Sequence, residues 1–141
     1  MYEEEIHAAG IRVTAVRLLI WRTIREKISN AFSLSDVQDI LFTVDKSTIF
    51  RTLTLFADKG LLHLIDDGSG MQKYCVCHCD DHEHHDHGHV HMTCTVCHKT
   101  WCIEDVEIPA VPVPEDFEDF EVLEAEYIIK GVCKKCRTGW R

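Results

Sequence analysis

Two Cys-x-x-Cys pairs, Cys94–Cys97 and Cys133–Cys136, constrain the fold of this chain more than any other feature. Two residues between thiols let one tight turn aim both sulfurs at a single tetrahedral ion. Two such turns close a four-cysteine zinc site of the structural kind. The 35 residues between Cys97 and Cys133 exceed the spacing of a compact ribbon, so a small β-rich module is expected to fold between the pairs. Such a site contributes folding free energy directly. The plainer alternatives are a redox pair or unligated thiols, and the duplication argues against both. Eight cysteines in 141 residues also point to metal binding if the compartment is reducing, because disulfides are rare there.

Several features predict that compartment. No apolar run approaches the roughly 20 residues a membrane span needs. The first residues, MYEEEIHAAG, are acidic and lack the hydrophobic segment of a secretory signal. A cytoplasmic location and no membrane partner are expected. The length suits one domain or two small ones. The net charge of −9 is unevenly placed: residues 1–66 carry 8 Lys/Arg and 9 Asp/Glu, residues 67–141 carry 7 and 15. Acidity taken alone speaks against a nucleic-acid partner, but the near-neutral first half leaves room for a local basic face.

The pattern changes near residue 66. Before it, periodicity is helical. Thr14 is placed to cap a helix whose apolar residues are Val16, Leu19, Ile20, Ile24 and Ile28. Ser33, with Asp36 three residues on, predicts a capping box, and Val37, Ile40 and Leu41 give that short helix its apolar face. Asp45 or Ser47 opens a third helix with Ile49, Leu53 and Phe56 on one side and Gly60 as its stop. LLHLIDDGSGMQKYCV then reads as a hairpin around an Asp-Gly-Ser-Gly turn. Helix, short helix, helix and hairpin is the order of a winged helix-turn-helix, although a small helical domain without a DNA role has the same pattern. Further on, KTWCI at 99–103 and VLEAEYIIKGVC at 122–133 are strand-like, and three prolines at 109, 112 and 114 oppose a regular helix between them.

Histidine and cysteine crowd residues 75–97. His89 and His91 alternate just before Cys94; in a strand both face one side, as a shared metal requires. His63 lies on the first hairpin strand and Cys77 at the end of the second, so antiparallel pairing brings them near each other. Mixed nitrogen and sulfur ligands suit zinc and do not suit magnesium or calcium. Spacing alone leaves His63 a half-buried strand residue. The segment DDHEHHDHG at 80–88 has no periodicity and little apolar content, and is expected to be a solvated loop. If that loop were the working part, the chain would be a zinc carrier or storage protein. An enzyme is not expected: there is no His-Glu-x-x-His, and Cys94-Thr-Val-Cys97 is not preceded by the proline of zinc deaminases.

These motifs together resemble the ferric uptake regulator family, and within it most the zinc uptake regulators. AGIRVTAVR at 9–17 is similar to the family's Gly-x-x-x-Thr-x-x-Arg opening. DKSTIFRTLTLFADKGLL at 45–62 resembles its recognition-helix segment. HVHMTCTVC and GVCKKC are similar to its His-x-His-x-x-Cys-x-x-Cys and Gly-x-Cys-x-x-Cys ends. The resemblance implies an α+β chain: a winged helix-turn-helix domain at 1–74, a hinge with the His-rich loop at 75–88, and a small α/β dimerisation domain with structural zinc at 89–141. It implies a homodimeric, metal-dependent transcriptional repressor of metal uptake genes that binds a palindromic, A/T-rich double-stranded operator. By position, Cys94, Cys97, Cys133 and Cys136 are then the structural ligands. His63, Cys77, His89 and His91 are sensor ligands, Cys75 and Cys102 alternative ones, with one structural and one regulatory zinc per chain. Arg12, Ser47, Thr48, Phe50 and Arg51 are implied as DNA contacts.

Departures from the family pattern refine this. The third metal site of the family has Gly88, Val90, Ala125 and Pro109 at its positions, so it is expected to be absent. Iron-type sensors use a histidine where Ala31 stands and acids where Cys75 and Cys102 stand. Exchanging oxygen for sulfur moves preference from iron toward zinc, with an iron-responsive regulator as the other reading. Phe50 replaces a tyrosine but keeps an aromatic surface for a thymine methyl. Zinc bound by ligands from both sides of the hinge would fix the orientation of the recognition helices.

Overall fold

Helix capping frames the first half of the chain. In the computed structural model, which describes residues 1–66, 68–76, 90–103, 114–121 and 127–139, Thr14 caps α2 (Ala15–Lys27), its hydroxyl accepting the Arg17 N–H at 3.2 Å. Ser33 and Asp36 close the expected capping box at the start of α3 (Leu34–Ile40), the Asp36 N–H donating to Ser33 Oγ at 3.3 Å and the Ser33 N–H to Asp36 Oδ2 at 2.8 Å. A helix that periodicity did not predict, α1 (Tyr2–Ala8), precedes them. It ends as the recognition-type helix α4 (Lys46–Asp58) ends, on a glycine in the left-handed region: Gly10 at φ +80° and Gly60 at φ +85°. Each glycine is followed by an apolar residue whose N–H reaches back to the last turn, Ile11 to Ile6 (3.2 Å) and Leu61 to Phe56 (2.9 Å). This is the Schellman closure, which only glycine adopts without strain. Ala9-Gly10-Ile11 carried that signal in the sequence.

The chain divides into two compact units, Met1–His78 and Cys79–Arg141. The core of the first lies under α4. Ile49, Leu53 and Phe56 are fully buried, together with Ile6, Ile20, Ile24 and Val37. The face of α2 differs from its periodic reading. Val16 and Leu19 are exposed (38% and 41%), whereas Trp21 is buried and packs edge-on against Phe56 with centroids 5.6 Å apart. The indole ring takes the space that an aliphatic face would have filled. Its Nε1–H donates to Glu5 Oε2 at 2.6 Å, and Arg25 pairs with Glu5 at 3.7 Å while lying over the indole. These contacts pin α1 to α2.

A three-stranded sheet in the order β1-β3-β2 completes the unit, with β1 (Phe32–Ser33), β2 (Leu62–Ile65) and β3 (Lys73–Val76) all antiparallel to their neighbours. Phe32 stacks on Tyr74 across β1 and β3, the rings 5.7 Å apart. The β2–β3 hairpin is the wing. In the second unit β4 (Val90–Cys94) lies between β5 (Thr100–Ile103), antiparallel, and β6 (Tyr127–Gly131), parallel; α5 (Lys134–Arg137) follows. The proline-containing stretch carries a single 3-10 turn, Glu115–Phe117, among its described residues. No helix among the described residues is long and apolar enough to cross a membrane.

Ser33→Ala removes one half of the capping box and should lower the stability of the first unit by about 1 kcal/mol. Ser35→Ala, on the exposed side of the same turn, should stay within about 0.5 kcal/mol of the parent. Thermal unfolding of the two proteins compares them; equal midpoints would remove the cap from the account.

Candidate metal centres and nucleic-acid face

Strand pairing brings the two Cys-x-x-Cys turns together. β4 and β6 run parallel with Cys94 opposite Gly131, so the turn after β4 and the turn after β6 start side by side. The Thr95 N–H donates to the Gly131 carbonyl at 2.8 Å and ties one turn to the other. The first turn returns the chain to β5 through His98, at φ +62°, with its N–H on the Cys94 carbonyl at 2.9 Å. Cys133 caps α5 from an extended conformation, and Cys136 stands one helical turn later.

The sulfur of Cys94 accepts three backbone N–H groups, from Val96 and Cys133 at 3.4 Å and from Cys97 at 3.5 Å. Those donors, Cys133 first and Cys97 next, hold the Cys94 thiol down at about 5, so it is a thiolate at neutral pH. Cys136 is pushed the other way, to about 12, by its thiol hydrogen bond with Cys133 and then by burial. Cys97 Sγ and Cys133 Sγ are 3.9 Å apart, and the four sulfurs all lie within 4.8 Å of one another. One thiolate cradled by amides among three more sulfurs is the donor set of a soft, tetrahedral divalent cation. Zinc fits it; magnesium and calcium, which take oxygen ligands, do not.

Among the described residues, each unit also places a histidine opposite a cysteine. On the wing, His63 of β2 stands directly opposite Cys75 of β3. On the second sheet, His91 of β4 stands directly opposite Cys102 of β5. Residues opposed across antiparallel strands project from the same face with Cβ atoms about 5 Å apart, close enough for a shared ion. His91 and Cys75 are buried (3% and 8% exposed); His63 and Cys102 are half-buried. Along the same face, the Thr93 and Thr100 hydroxyls are 3.0 Å apart in the interior. Cys77 and His89, and the loop histidines His82, His84, His85 and His87, lie outside the described residues.

The DNA-contact candidates fall on one element and the loop before another. With Ile49, Leu53 and Phe56 turned inward, α4 presents Ser47, Phe50 and Arg51 to solvent and Thr48 at the margin. Phe50 is 46% exposed, an aromatic ring held outward on a helix that had buried positions to offer. No ion pair joins Arg51 to another of the described residues, so it is not spent on a partner of that kind there. Arg12 is exposed, while Arg17 donates from Nη1 to the Arg12 carbonyl at 2.8 Å and braces the approach to α2. Met71 and Gln72, exposed on the wing beside Phe50, were not singled out by sequence. Their signal was an apolar residue stranded beside a Gly-Ser-Gly turn.

The sequence model of the ferric uptake regulator family matches residues 8–130. This chain belongs to the ferric uptake regulator family. Its fold recurs in solved members. The ferric uptake regulator of Pseudomonas aeruginosa with manganese is 21% identical, with 96% of this chain and 99% of that one covered and a TM-score of 0.64. That of Vibrio cholerae is 16% identical, covering 94% and 100% at 0.65. A zinc uptake regulator complexed with zinc and DNA is 20% identical, covering 96% and 90% at 0.63. No curated protein matches the sequence significantly.

Zinc analysis of purified Cys94→Ser protein should show at least one equivalent fewer than the parent, with a lower unfolding temperature for the second unit. Structural zinc in small modules is worth on the order of 10 kcal/mol of folding free energy, so the loss should be large. Parental zinc content in the variant would refute the cluster as a metal site.

Proposed function

We propose that this protein is a zinc-responsive, DNA-binding transcriptional repressor that acts as a cytoplasmic homodimer on genes of metal uptake. The observation that carries this reading is the position of the His63–Cys75 pair. Only Lys59, Gly60 and Leu61 separate the end of α4 from the strand that bears His63. A metal drawn to that pair binds the hairpin that continues directly from the helix bearing Phe50 and Arg51.

One zinc is structural, on Cys94, Cys97, Cys133 and Cys136. The second is regulatory, with ligands drawn from His63, Cys75 or Cys77, His89, His91 and Cys102. What favours Cys75 and Cys102 as the sulfur ligands, in their reduced form, is register: each lies directly across its own sheet from a histidine. A donor pool of imidazoles and thiolates favours zinc over iron. A homodimer is supported by the second sheet, where Trp101, Met92 and Ile129 form one row across the three strands on an apolar face, with Met92 and Ile129 41% and 50% exposed. A twofold dimer matches a palindromic operator, and the two α4 helices would enter half-sites about one helical turn apart.

Titrating the protein with zinc and with ferrous iron, while following binding to A/T-rich palindromic DNA, tests the reading. Zinc should tighten binding roughly 5- to 150-fold, the range of ordinary allosteric coupling. Cys75→Ala should abolish that response without lowering the structural zinc content. Zinc-independent binding, or tightening by iron alone, would overturn zinc as the signal. Retention of the zinc response in Cys75→Ala but not in Cys77→Ala would assign the thiolate to Cys77. Arg51→Ala should cost about 1–3 kcal/mol of operator affinity at fixed salt; an unchanged affinity would remove Arg51 from the interface.

A further inference from the structure

A cleft in the first unit lies between the exposed side of α4 and the wing. Its walls are Phe50 of α4, Met71 and Gln72 of the wing, Tyr74 of β3, and Ser33, Leu34 and Ser35 at the start of α3. The cleft is open to solvent and has a volume of about 150 Å³, below the several hundred Å³ of sites that hold drug-sized ligands. A small-molecule effector is therefore a poor occupant. The lining is mostly carbon, with Gln72 and Ser35 supplying polar groups. Phe50 and Met71 are 46% and 54% exposed, so both apolar walls project outward. Met71 is held there by turn geometry: its N–H donates to Ser69 Oγ at 3.2 Å, Gly70 before it has φ +80°, and the Gly68 N–H donates to Asp66 Oδ1 at 3.0 Å. The wing is bonded into a shape that presents a methionine beside the phenylalanine of α4.

We propose that Met71 is a base-reading residue: together with Phe50 it forms the two sides of a cleft that receives the 5-methyl group of a thymine in the operator. This rests on the DNA-binding reading and extends it to a residue of the wing. Charge and size argue for that occupant. Arg51, exposed and next to Phe50, draws a phosphate backbone to this face. The thymine methyl is the apolar group that the major groove offers. A flexible thioether shapes itself to a small apolar group better than a branched chain does. Gln72 at the rim has an amide that suits the adenine edge, so an A·T pair satisfies both the carbon lining and the polar rim.

The test uses the zinc-loaded 141-residue chain and the duplex it selects from a randomised pool. Each thymine is replaced in turn by uracil, which removes only the methyl group. At one thymine per half-site the parent should lose affinity roughly fourfold, the worth of one buried methyl-sized group. In Met71→Ala, where only the Phe50 wall remains, the same uracil replacement should cost clearly less, no more than about twofold, and Met71→Leu should restore part of the penalty. Met71 is more than half exposed, so its truncation should leave the unfolding temperature unchanged. A protein that binds its duplex but whose uracil penalties are the same in Met71→Ala overturns the role of Met71 and leaves DNA binding standing. A protein that selects no duplex overturns both.

Discussion

The second unit depends on one sulfur. Cys94 ends the central strand of its sheet and accepts N–H groups from its own turn and from the turn that begins with Cys133. Parallel pairing of β4 with β6 is what makes the last of these possible. Parallel neighbours need a long connection between them, and the 35 residues between the cysteine pairs supply it. The sheet order, the placement of α5 and the convergence of four sulfurs are therefore one arrangement. Three amide N–H groups already favour the thiolate form of Cys94, and a cation among the four sulfurs would favour it further. A metal on the four sulfurs, as proposed, would offset that charge and tie the two turns together, adding its binding free energy to the folding of this small sheet.

In the first unit the corresponding constraint is the buried side of α4. Ile49, Leu53 and Phe56 fix the rotation of the helix about its axis, and that rotation decides that Phe50 and Arg51 face water. The Schellman closure at Gly60 then sets the direction of β2, and with it the placement of His63. Core packing, helix termination and ligand position form a single chain of cause, and the two functions proposed for this unit are adjacent because the polypeptide is.

Much of this was legible beforehand, and for identifiable reasons. Caps and stops are local, so Thr14, Ser33 with Asp36, and Gly60 announced the helix ends they make. The Cys-x-x-Cys pairs announced their convergence because four sulfurs at that spacing have few other uses. What was not legible depended on partners distant in sequence. Trp21 took a core position because Phe56 and Glu5 were there to meet it. The short β1 exists only because β3 lies alongside. The choice of Cys75 as the residue opposite His63 is a matter of strand register, which spacing within a mixed stretch of cysteines leaves open by one or two positions. Family resemblance carried the alignment of motifs. It could not supply that register, because the sulfurs at 75 and 102 depart from the family pattern.

Register also has a consequence for how this wing can change over time. Side chains alternate faces along a strand, so a slip by one residue would turn His63 and Cys75 away from each other's neighbourhood. That slip is guarded from the far side, where β1 pairs with β3 and Phe32 lies on Tyr74. Residues Gly68 to Gln72 carry no part of that guard. Insertions or deletions there would leave the histidine and the cysteine facing one another while remodelling the tip. On the proposed reading, the wing would separate a segment free to drift, and with it the choice of operator, from a pair of strands whose alignment is held fixed for the metal.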